Sequence, residues 1–465
     1  MPRTCCRLSF FTVRRKYITY FIIALNLIMS EEVIEQKTET KKVETVNHHV
    51  GVDEQIEYLV RNDPNISVTR SSNRSNTLGE GADRSGLDLL PPEARKRMEE
   101  DGINLEGGYP EIPDRSHIPV YVDQAYAIRN HDLPYTERAK NADPNKKALF
   151  GAAKEVHNLT KHIGTEIVGL QLKDLTDKQK DELALLVAER GVVFFRNQKL
   201  PPRKQKELGE YWGNVEVHPQ APHVPGLPGE TVIWVDYWRK HGMNINFKNC
   251  DYGNFDRVRY GRMGNETWHT DLVHERQPAG ITHLHLDSIP NVGGDTLWAS
   301  GYAAYDKLSE EMKKFLDGKK AVYESAHSYL DRNDPFGGRK KIERVHPLVR
   351  TNPATGWKTL FVNRAMTKRI VGLTPVESDV ILNYLFDVYE KNADIQVRFN
   401  WKSDPGYGTS AIWDNRSTQH RTVWDHEGLE PRHGTRVTSL AEIPYFDPQS
   451  KSQREALGLP ITKEE

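Results

Sequence analysis

Residues 265–300 read NETWHTDLVHERQPAGITHLHLDSIPNVGGDTLWAS. Two residues apart within this stretch stand His269 and Asp271. On an extended backbone alternate side chains point to one face, so an imidazole and a carboxylate converge on one point. Divalent iron takes this mixture of N and O donors when a third ligand comes from elsewhere and positions stay open for chemistry. H-x-D alone is a short signal, and its plainer meaning is a histidine at a strand end beside a capping aspartate. The same stretch then offers two short strands, Ile281–Asp287 and Asp295–Ala299, with His283 and His285 alternating along the first.

Working outward, short strands recur. Further candidates are Thr231–Val235, Val345–Arg350, Thr359–Asn363, Gln396–Phe399, Ser410–Trp413 and Thr435–Leu440. Asn352-Pro-Ala-Thr-Gly356 makes a turn between two of them, where Gly356 takes a positive φ freely. Upstream, Val168–Leu172 is strand-like and Val192–Phe195 is a short buried strand. Thr176 is a plausible N-cap for a helix with an apolar stripe of Leu183, Leu185, Leu186 and Val187, ended by Gly191. A second helix covers Pro202–Trp212, and helical patterns also cover Ala303–Leu316 and Thr374–Asn392. Many evenly spaced strands with few helices suggest a mainly β fold with flanking helices, either a sandwich or a double-stranded β-helix of the jelly-roll, cupin-like kind.

Composition sets the outer bounds. The 465 residues suffice for one large domain or two ordinary ones. With 37% hydrophobic and 28% charged residues, the chain reads as soluble with polar appendages. A net charge of −1 gives no case for nucleic acid or an anionic membrane, and leaves small anionic substrates open. Cys5, Cys6 and Cys250 form neither a disulfide framework nor a zinc-ribbon spacing, which suits a reducing compartment such as the cytoplasm. The oligomeric state stays open, with a homo-oligomer compatible.

The N-terminus is unusual. Five basic residues precede the apolar run YITYFIIALNLIM, residues 17–29. A membrane span needs about 20 apolar residues, so no stable span is expected. Residues 1–29 read either as a signal, anchor or organellar targeting segment or as a mis-called start ahead of Met29. Residues 30–115 are polar without sustained apolar periodicity, and such a segment cannot bury enough surface to offset its ordering entropy. They read as a mostly disordered extension with one short helix in LLPPEARKRMEED. A chain starting near Asp114 is therefore expected to keep activity. Residues 116–163 read as an arm wrapping the core, 164–450 as the main domain and 451–465 as a polar tail.

Four stretches in order, WHTD, GGDTLWAS, HPLVRTNPATGWKTLFVN and AIWDNRSTQH, resemble the taurine dioxygenase family of iron(II)/2-oxoglutarate-dependent oxygenases. The resemblance runs from Gly164 to Phe446 and implies a jelly-roll dioxygenase domain over 164–450. It implies an iron triad of His269, Asp271 and His420, with two imidazoles and one carboxylate on one face of the metal. His274, His283, His285, His426 and His433 are rivals that the family pattern leaves outside the metal. By the same resemblance Arg432 grips the distal carboxylate of 2-oxoglutarate, as a guanidinium fork suits, and Thr296 donates its hydroxyl to it. Arg436, four residues on along an alternating strand, faces the same way and takes the substrate's anionic head group. His218, Asn265 and the backbone N–H of Leu272 complete the substrate contacts. Ala221 stands where taurine-type enzymes carry a tyrosine, which leaves recognition of an amine open.

The implied cofactor set is Fe(II), with 2-oxoglutarate and O2 as cosubstrates. The implied reaction hydroxylates the carbon beside the acid group of a small anionic acid, a sulfonate first, releasing sulfite and an aldehyde with succinate and CO2. The same chemistry on an alkyl sulfate ester, an aryloxy acid or another carboxylic acid is the nearest alternative. A zinc hydrolase on a similar barrel has the same ligand types, but no use for a dicarboxylate cradle. A non-catalytic jelly-roll binding protein has no use for an intact triad.

Overall fold

The computed structural model describes residues 86–111, 131–218, 221–234, 237, 268–331, 334–423, 425–426 and 430–460, with backbone alone for 327–331 and 334–339. These residues belong to one compact unit, 51–465. Sixteen strands are present among them. In chain order they are β1 Glu155–Asn158, β2 Thr165–Val168, β3 Val192–Gln198, β4 His223–Val224, β5 Leu227–Trp234, β6 Ala279–Ser288, β7 Thr296–Ser300 and β8 Lys320–Asp331. They continue as β9 Asp334–Pro347, β10 Val349–Thr351, β11 Lys358–Leu360, β12 Thr367–Ile370, β13 Gln396–Phe399, β14 Gly408–Asp414, β15 Thr418–Thr422 and β16 His433–Leu440.

An eight-stranded sheet runs β1-β2-β3-β14-β6-β16-β5-β4, and a three-stranded sheet runs β13-β7-β15. All its neighbours in the large sheet are antiparallel except β2 and β3. Leu284, Leu286, Phe194, Ala411 and Trp413 of the large sheet cluster with Trp298 and Phe399 of the small one. Two sheets closing on a shared apolar core are the jelly roll that the strand pattern implies. Every residue of β6 and β14 is buried, because helices cover the face turned away from that core. A strand buried on both faces loses simple alternation and reads as a near-continuous apolar run.

The covering helices form where local signals say they should. Helix α1 is Pro92–Glu100, α2 Lys147–Ala152, α3 Asp177–Arg190 and α4 Pro202–Trp212. Thr176 and Gln179 close a capping box on α3, and Gly191 ends it at φ 73°. Leu183, Leu186 and Val187 of α3 and Leu208 and Trp212 of α4 pack with Val193, Phe195, Ile281 and Ile412 of the large sheet. Fully burying each such side chain stabilises the fold by roughly 1.5–3 kcal/mol. On the other side lie α5 Gly301–Asp306, α6 Glu310–Leu316 and α7 Pro375–Lys391. The expected single helix over 303–316 is two, because the Ser309 hydroxyl caps a fresh start by accepting from the Met312 N–H. The strand expected at 168–172 lies earlier, at β2, and a 3-10 turn covers Leu172–Asp174.

Three expectations need correction. Residues 86–111 are not disordered. Leu90, Ala94, Met98, Ile103 and Tyr109 are buried in one cluster with Val224, Val232, Trp234 and Tyr237. Arg97 of α1 is buried and donates to Leu200 O (2.6 Å), Gln205 Oε1 (2.8 Å), Thr435 Oγ1 (2.9 Å) and Asp287 Oδ2 (3.1 Å). The segment is polar on average, yet its few apolar residues share one face and its arginine meets a waiting carboxylate. Second, the boundary at 163/164 cuts through the large sheet, since β1 pairs with β2. The arm is tied in further by Tyr135 and Glu137, which bond the Arg416 guanidinium. Third, the strand expected at Val345–Arg350 is the end of β9 together with β10, and the rest of the β8–β9 hairpin escaped the strand pattern, β9 being charged and polar along most of its length. Residues 1–29 lie outside the described residues. No helix among the described residues is long and apolar enough to cross a membrane.

Candidate active site

Two chain segments about 150 residues apart meet at the mouth of the two sheets. The His269 N–H donates to His420 O at 3.1 Å, and the His420 N–H returns to His269 O at 2.9 Å. An antiparallel pair that exchanges both bonds sets its side chains next to each other. The two imidazole rings stand with centroids 4.2 Å apart. His420 is itself fixed by β15, where it lies opposite Trp298 of β7, and its ring is 4.9 Å from that of Trp413.

Asp271 follows two residues later on the same side. Thr270 donates to Thr418 O at 3.0 Å and the Asp271 N–H to Asn415 Oδ1 at 3.2 Å. Asn415 in turn donates to Thr282 Oγ1 at 2.8 Å and to Gly280 O at 3.1 Å, which ties this turn to β6. Leu272 then adopts φ 56°, and the Glu275 N–H closes the turn on Leu272 O at 2.9 Å. A left-handed leucine costs roughly 1–2 kcal/mol, so the surrounding bonds hold it there.

His269 Nε2 lies 3.7 Å from Asp271 Oδ1, and His420 Nε2 lies 3.9 Å from Asp271 Oδ2. One donor atom from each of the three falls within 4.8 Å of the others. The separations are too long for hydrogen bonds and short enough for one ion to bridge. Asp271 Oδ2 is buried with no hydrogen-bond partner among the described residues. Burial pushes the Asp271 carboxyl up, but Arg436, His420 and His269 outweigh it and the net shift is downward. Burial, with the neighbouring His269, pushes the His420 imidazole down to about 3. An ionised carboxylate beside a neutral imidazole is the state a divalent metal needs, so these residues fit such an ion.

The Gly-Gly-Asp-Thr turn lies beside this cluster. Gly293 and Gly294 have φ of 82° and 72°, and a Cβ on Gly293 would come within 2.8 Å of the His426 backbone nitrogen. Asp425 accepts from the Gly294 N–H at 2.8 Å, and Arg432 Nε donates to Gly294 O at 3.2 Å. The Asp295 carboxylate accepts from Arg398 Nε at 2.6 Å and Asn400 Nδ2 at 2.7 Å. Thr296 opens β7, and its Oγ1 accepts from Trp401 Nε1 at 3.1 Å.

Arg432 is buried and Arg436 half-buried. Both reach toward the site, Arg432 to Gly294 and Arg436 Nη1 to Asp271 Oδ1 at 3.4 Å. Between them, His433 and Thr435 turn to the opposite face, where they meet Asp287 and Gln205. The His218 ring Nδ1 accepts from the Ala221 N–H at 3.1 Å. Asn265 lies outside the described residues. Of the rival histidines, His283 and His285 both bond Ser410 Oγ on the helix-covered face, at 3.0 and 2.9 Å. His433 uses Nδ1 on Asp287 at 2.6 Å and Nε2 on Tyr109 at 2.8 Å. Asn415, Trp413, Trp401, Arg398 and Asn400 frame the site and were given no role by the motif reading. The first two stand inside the conspicuous WDNR run, while the other three carry no local signal.

A jelly roll with two histidines and one carboxylate on one side, and a buried and a half-buried arginine beside them, defines a non-haem iron oxygenase that uses a keto acid. Comparison with known proteins agrees. The profile of the family described as "Taurine catabolism dioxygenase TauD, TfdA family" matches residues 155–438. An alpha-ketoglutarate-dependent sulfonate dioxygenase of Saccharomyces cerevisiae is 36% identical over 325 residues, 67% of this chain and 74% of that protein. An alpha-ketoglutarate-dependent dioxygenase of Penicillium expansum is 34% identical over 349 residues, 73% of this chain and 92% of that protein. The crystal structure of a taurine dioxygenase from Burkholderia xenovorans superposes with a TM-score of 0.52 at 28% identity, covering 64% of this chain and 92% of that one. The chain belongs to the TauD/TfdA family. It is a 2-oxoglutarate-dependent dioxygenase whose cofactor is Fe(II) and whose cosubstrates are 2-oxoglutarate and O2.

Proposed function

We propose that the chain oxidises a small organosulfonate at the carbon bearing the sulfonate. One atom of O2 enters that carbon, and the C–S bond breaks to give an aldehyde and sulfite. The other enters 2-oxoglutarate, which leaves as succinate and CO2. The observation that carries this reading is Arg436, half-buried, with Nη1 at 3.4 Å from Asp271 and a buried Nε that has no hydrogen-bond partner among the described residues. An anionic head group held there sets its neighbouring carbon beside the triad. The Saccharomyces cerevisiae relative, named a sulfonate dioxygenase, supports sulfonate over carboxylate.

In this reading His269, Asp271 and His420 hold the metal, which supplies the oxidising power once 2-oxoglutarate and O2 are present. Thr296 and Arg432 grip the distal carboxylate of the keto acid, where charge-assisted bonds are shielded from water. His218 accepts at Nδ1 from Ala221, so its neutral ring carries the proton on Nε2 and donates from there to the anion. The Leu272 N–H adds a second donor, for which its left-handed turn orients the backbone. Asn265 contacts the far end of the substrate. The compartment is the cytoplasm, in keeping with three cysteines and no disulfide framework.

The test is a panel of alkyl and aminoalkyl sulfonates, alkyl sulfates and aryloxy acids, with succinate and sulfite measured together. A sulfonate that yields both in equal amounts supports the proposal. Sulfate release from an alkyl sulfate, with no sulfite from any sulfonate, overturns the substrate class. Each of His269→Ala, Asp271→Ala and His420→Ala is expected to lose bound iron after anaerobic purification while remaining folded. Full iron content in any one of them removes that residue from the metal site.

A further inference from the structure

Trp401 lies two residues past the end of β13 and is 1% exposed. Its ring is boxed in by aromatic neighbours, edge-on to Phe399 at 5.6 Å and tilted against Trp298 at 6.3 Å. Its indole N–H donates to Thr296 Oγ1 at 3.1 Å, and the Arg432 guanidinium carbon stands over its face at 5.9 Å. One side chain thus touches both groups assigned to the keto acid's distal carboxylate, by its edge and by its face.

A threonine hydroxyl has one proton to donate and two lone pairs to accept with, while an indole N–H only donates. Trp401 therefore occupies an acceptor position on Thr296, and the hydroxyl donates to no group among the described residues. Its proton is left to point into the site. The flanking residues reinforce the arrangement, since Arg398 and Asn400 hold the Asp295 carboxylate and so fix the backbone that presents Thr296.

We propose that Trp401 is a positioning residue for 2-oxoglutarate. It orients the Thr296 hydroxyl as a donor to the distal carboxylate and backs the Arg432 guanidinium that grips the same group. This rests on the assignment of Thr296 and Arg432 above, and the test separates the two.

Affinity for 2-oxoglutarate is measured calorimetrically on the full chain with Fe(II) under anaerobic conditions, for the wild type, Trp401→Phe, Thr296→Val and the double variant. Trp401→Phe keeps the aromatic packing and removes the N–H, and is expected to weaken 2-oxoglutarate roughly tenfold, as loss of a hydrogen bond that orients a charge-assisted contact implies. In the double variant the penalty should equal that of Thr296→Val alone, because Trp401 acts through the hydroxyl. In turnover the loss should fall on KM for 2-oxoglutarate rather than on kcat. Binding of pyruvate, which lacks a distal carboxylate, should be unaffected by Trp401→Phe, whereas a general structural defect weakens both keto acids. Wild-type affinity in Trp401→Phe, or penalties that multiply in the double variant, overturns the proposal. Wild-type affinity in Thr296→Val instead overturns the cradle assignment, and the role of Trp401 falls with it. If Trp401→Phe does not fold, Trp401→Met, which likewise has no N–H to donate, replaces it in the same comparison against Thr296→Val.

Discussion

At the scale of single residues, the two arginines of β16 and its approach differ in what they touch. Arg432 bonds the backbone of the Gly-Gly turn, and Arg436 lies against the Asp271 carboxylate. Removing one partner of a buried charge pair costs roughly 3–5 kcal/mol. Arg432→Ala should therefore raise the 2-oxoglutarate requirement by roughly two orders of magnitude or more. Arg436→Ala should leave that requirement nearly unchanged and weaken the anionic substrate, with succinate still forming without product. Succinate and product measured side by side decide this. If Arg436→Ala loses 2-oxoglutarate and Arg432→Ala does not, the two roles are exchanged.

At the scale of elements, α1 and its flanks change the expectation for a shortened chain. Residues 86–111 bring Leu90, Ala94, Met98, Ile103 and Tyr109 into the core and seat Arg97 on Asp287. A chain starting at Asp114 lacks that cover and leaves Asp287 with His433 as its remaining partner among the contacts described. The chain starting at Asp114 should melt several degrees lower than one starting at residue 86, or fail to fold. Arg97→Ala in the full chain should cost roughly 3 kcal/mol for the same reason. Thermal unfolding of the three chains checks this. Equal melting of the chains starting at 86 and 114 would detach the segment from the core.

At the scale of the whole molecule, buried titratable groups set the pH range of stability. Burial pushes His283 down to about 3 and His346 down to about 4, and holds His285 well below its ordinary value. All three stay neutral in the fold while the unfolded chain takes up protons below about 6.5, so their contribution is lost as pH falls from there toward 4. Glu230 acts in the opposite sense. Burial, which Arg97 only partly offsets, raises its carboxyl to about 8, so its contribution is present below its ordinary range and is lost as pH rises toward 8. Stability should thus peak near pH 6.5, falling on the acid side by at least two net protons' worth, roughly 3 kcal/mol per pH unit or more at the steepest. Urea unfolding at stepped pH measures this. Glu230→Gln should flatten the alkaline limb and leave the acid limb in place, and an alkaline limb unchanged in that variant would assign it to another group.

What the sequence determined by itself were the features built from neighbours in the chain. Thr176 with Gln179 and Thr374 with Glu377 close their capping boxes within one helical turn, and α3 and α7 begin where those residues say, while α4 begins at the Pro201-Pro202 pair. His269 with Asp271 is likewise local, and four motifs in order carried the family. The tertiary structure alone decided what is assembled across long separations. His420 meets His269 through backbone bonds that any residue pair can make, so side-chain patterns did not fix that register. Trp401, Arg398 and Asn400 act on a turn more than a hundred residues earlier, and Arg97 acts on a strand 190 residues later. Such contacts have no period and no composition signal, and Arg97 in a polar run looks like any solvated charge. Only when β6 brings Asp287 beneath α1 does burial make the guanidinium a partner that the fold needs, because a buried carboxylate without a cation is costly.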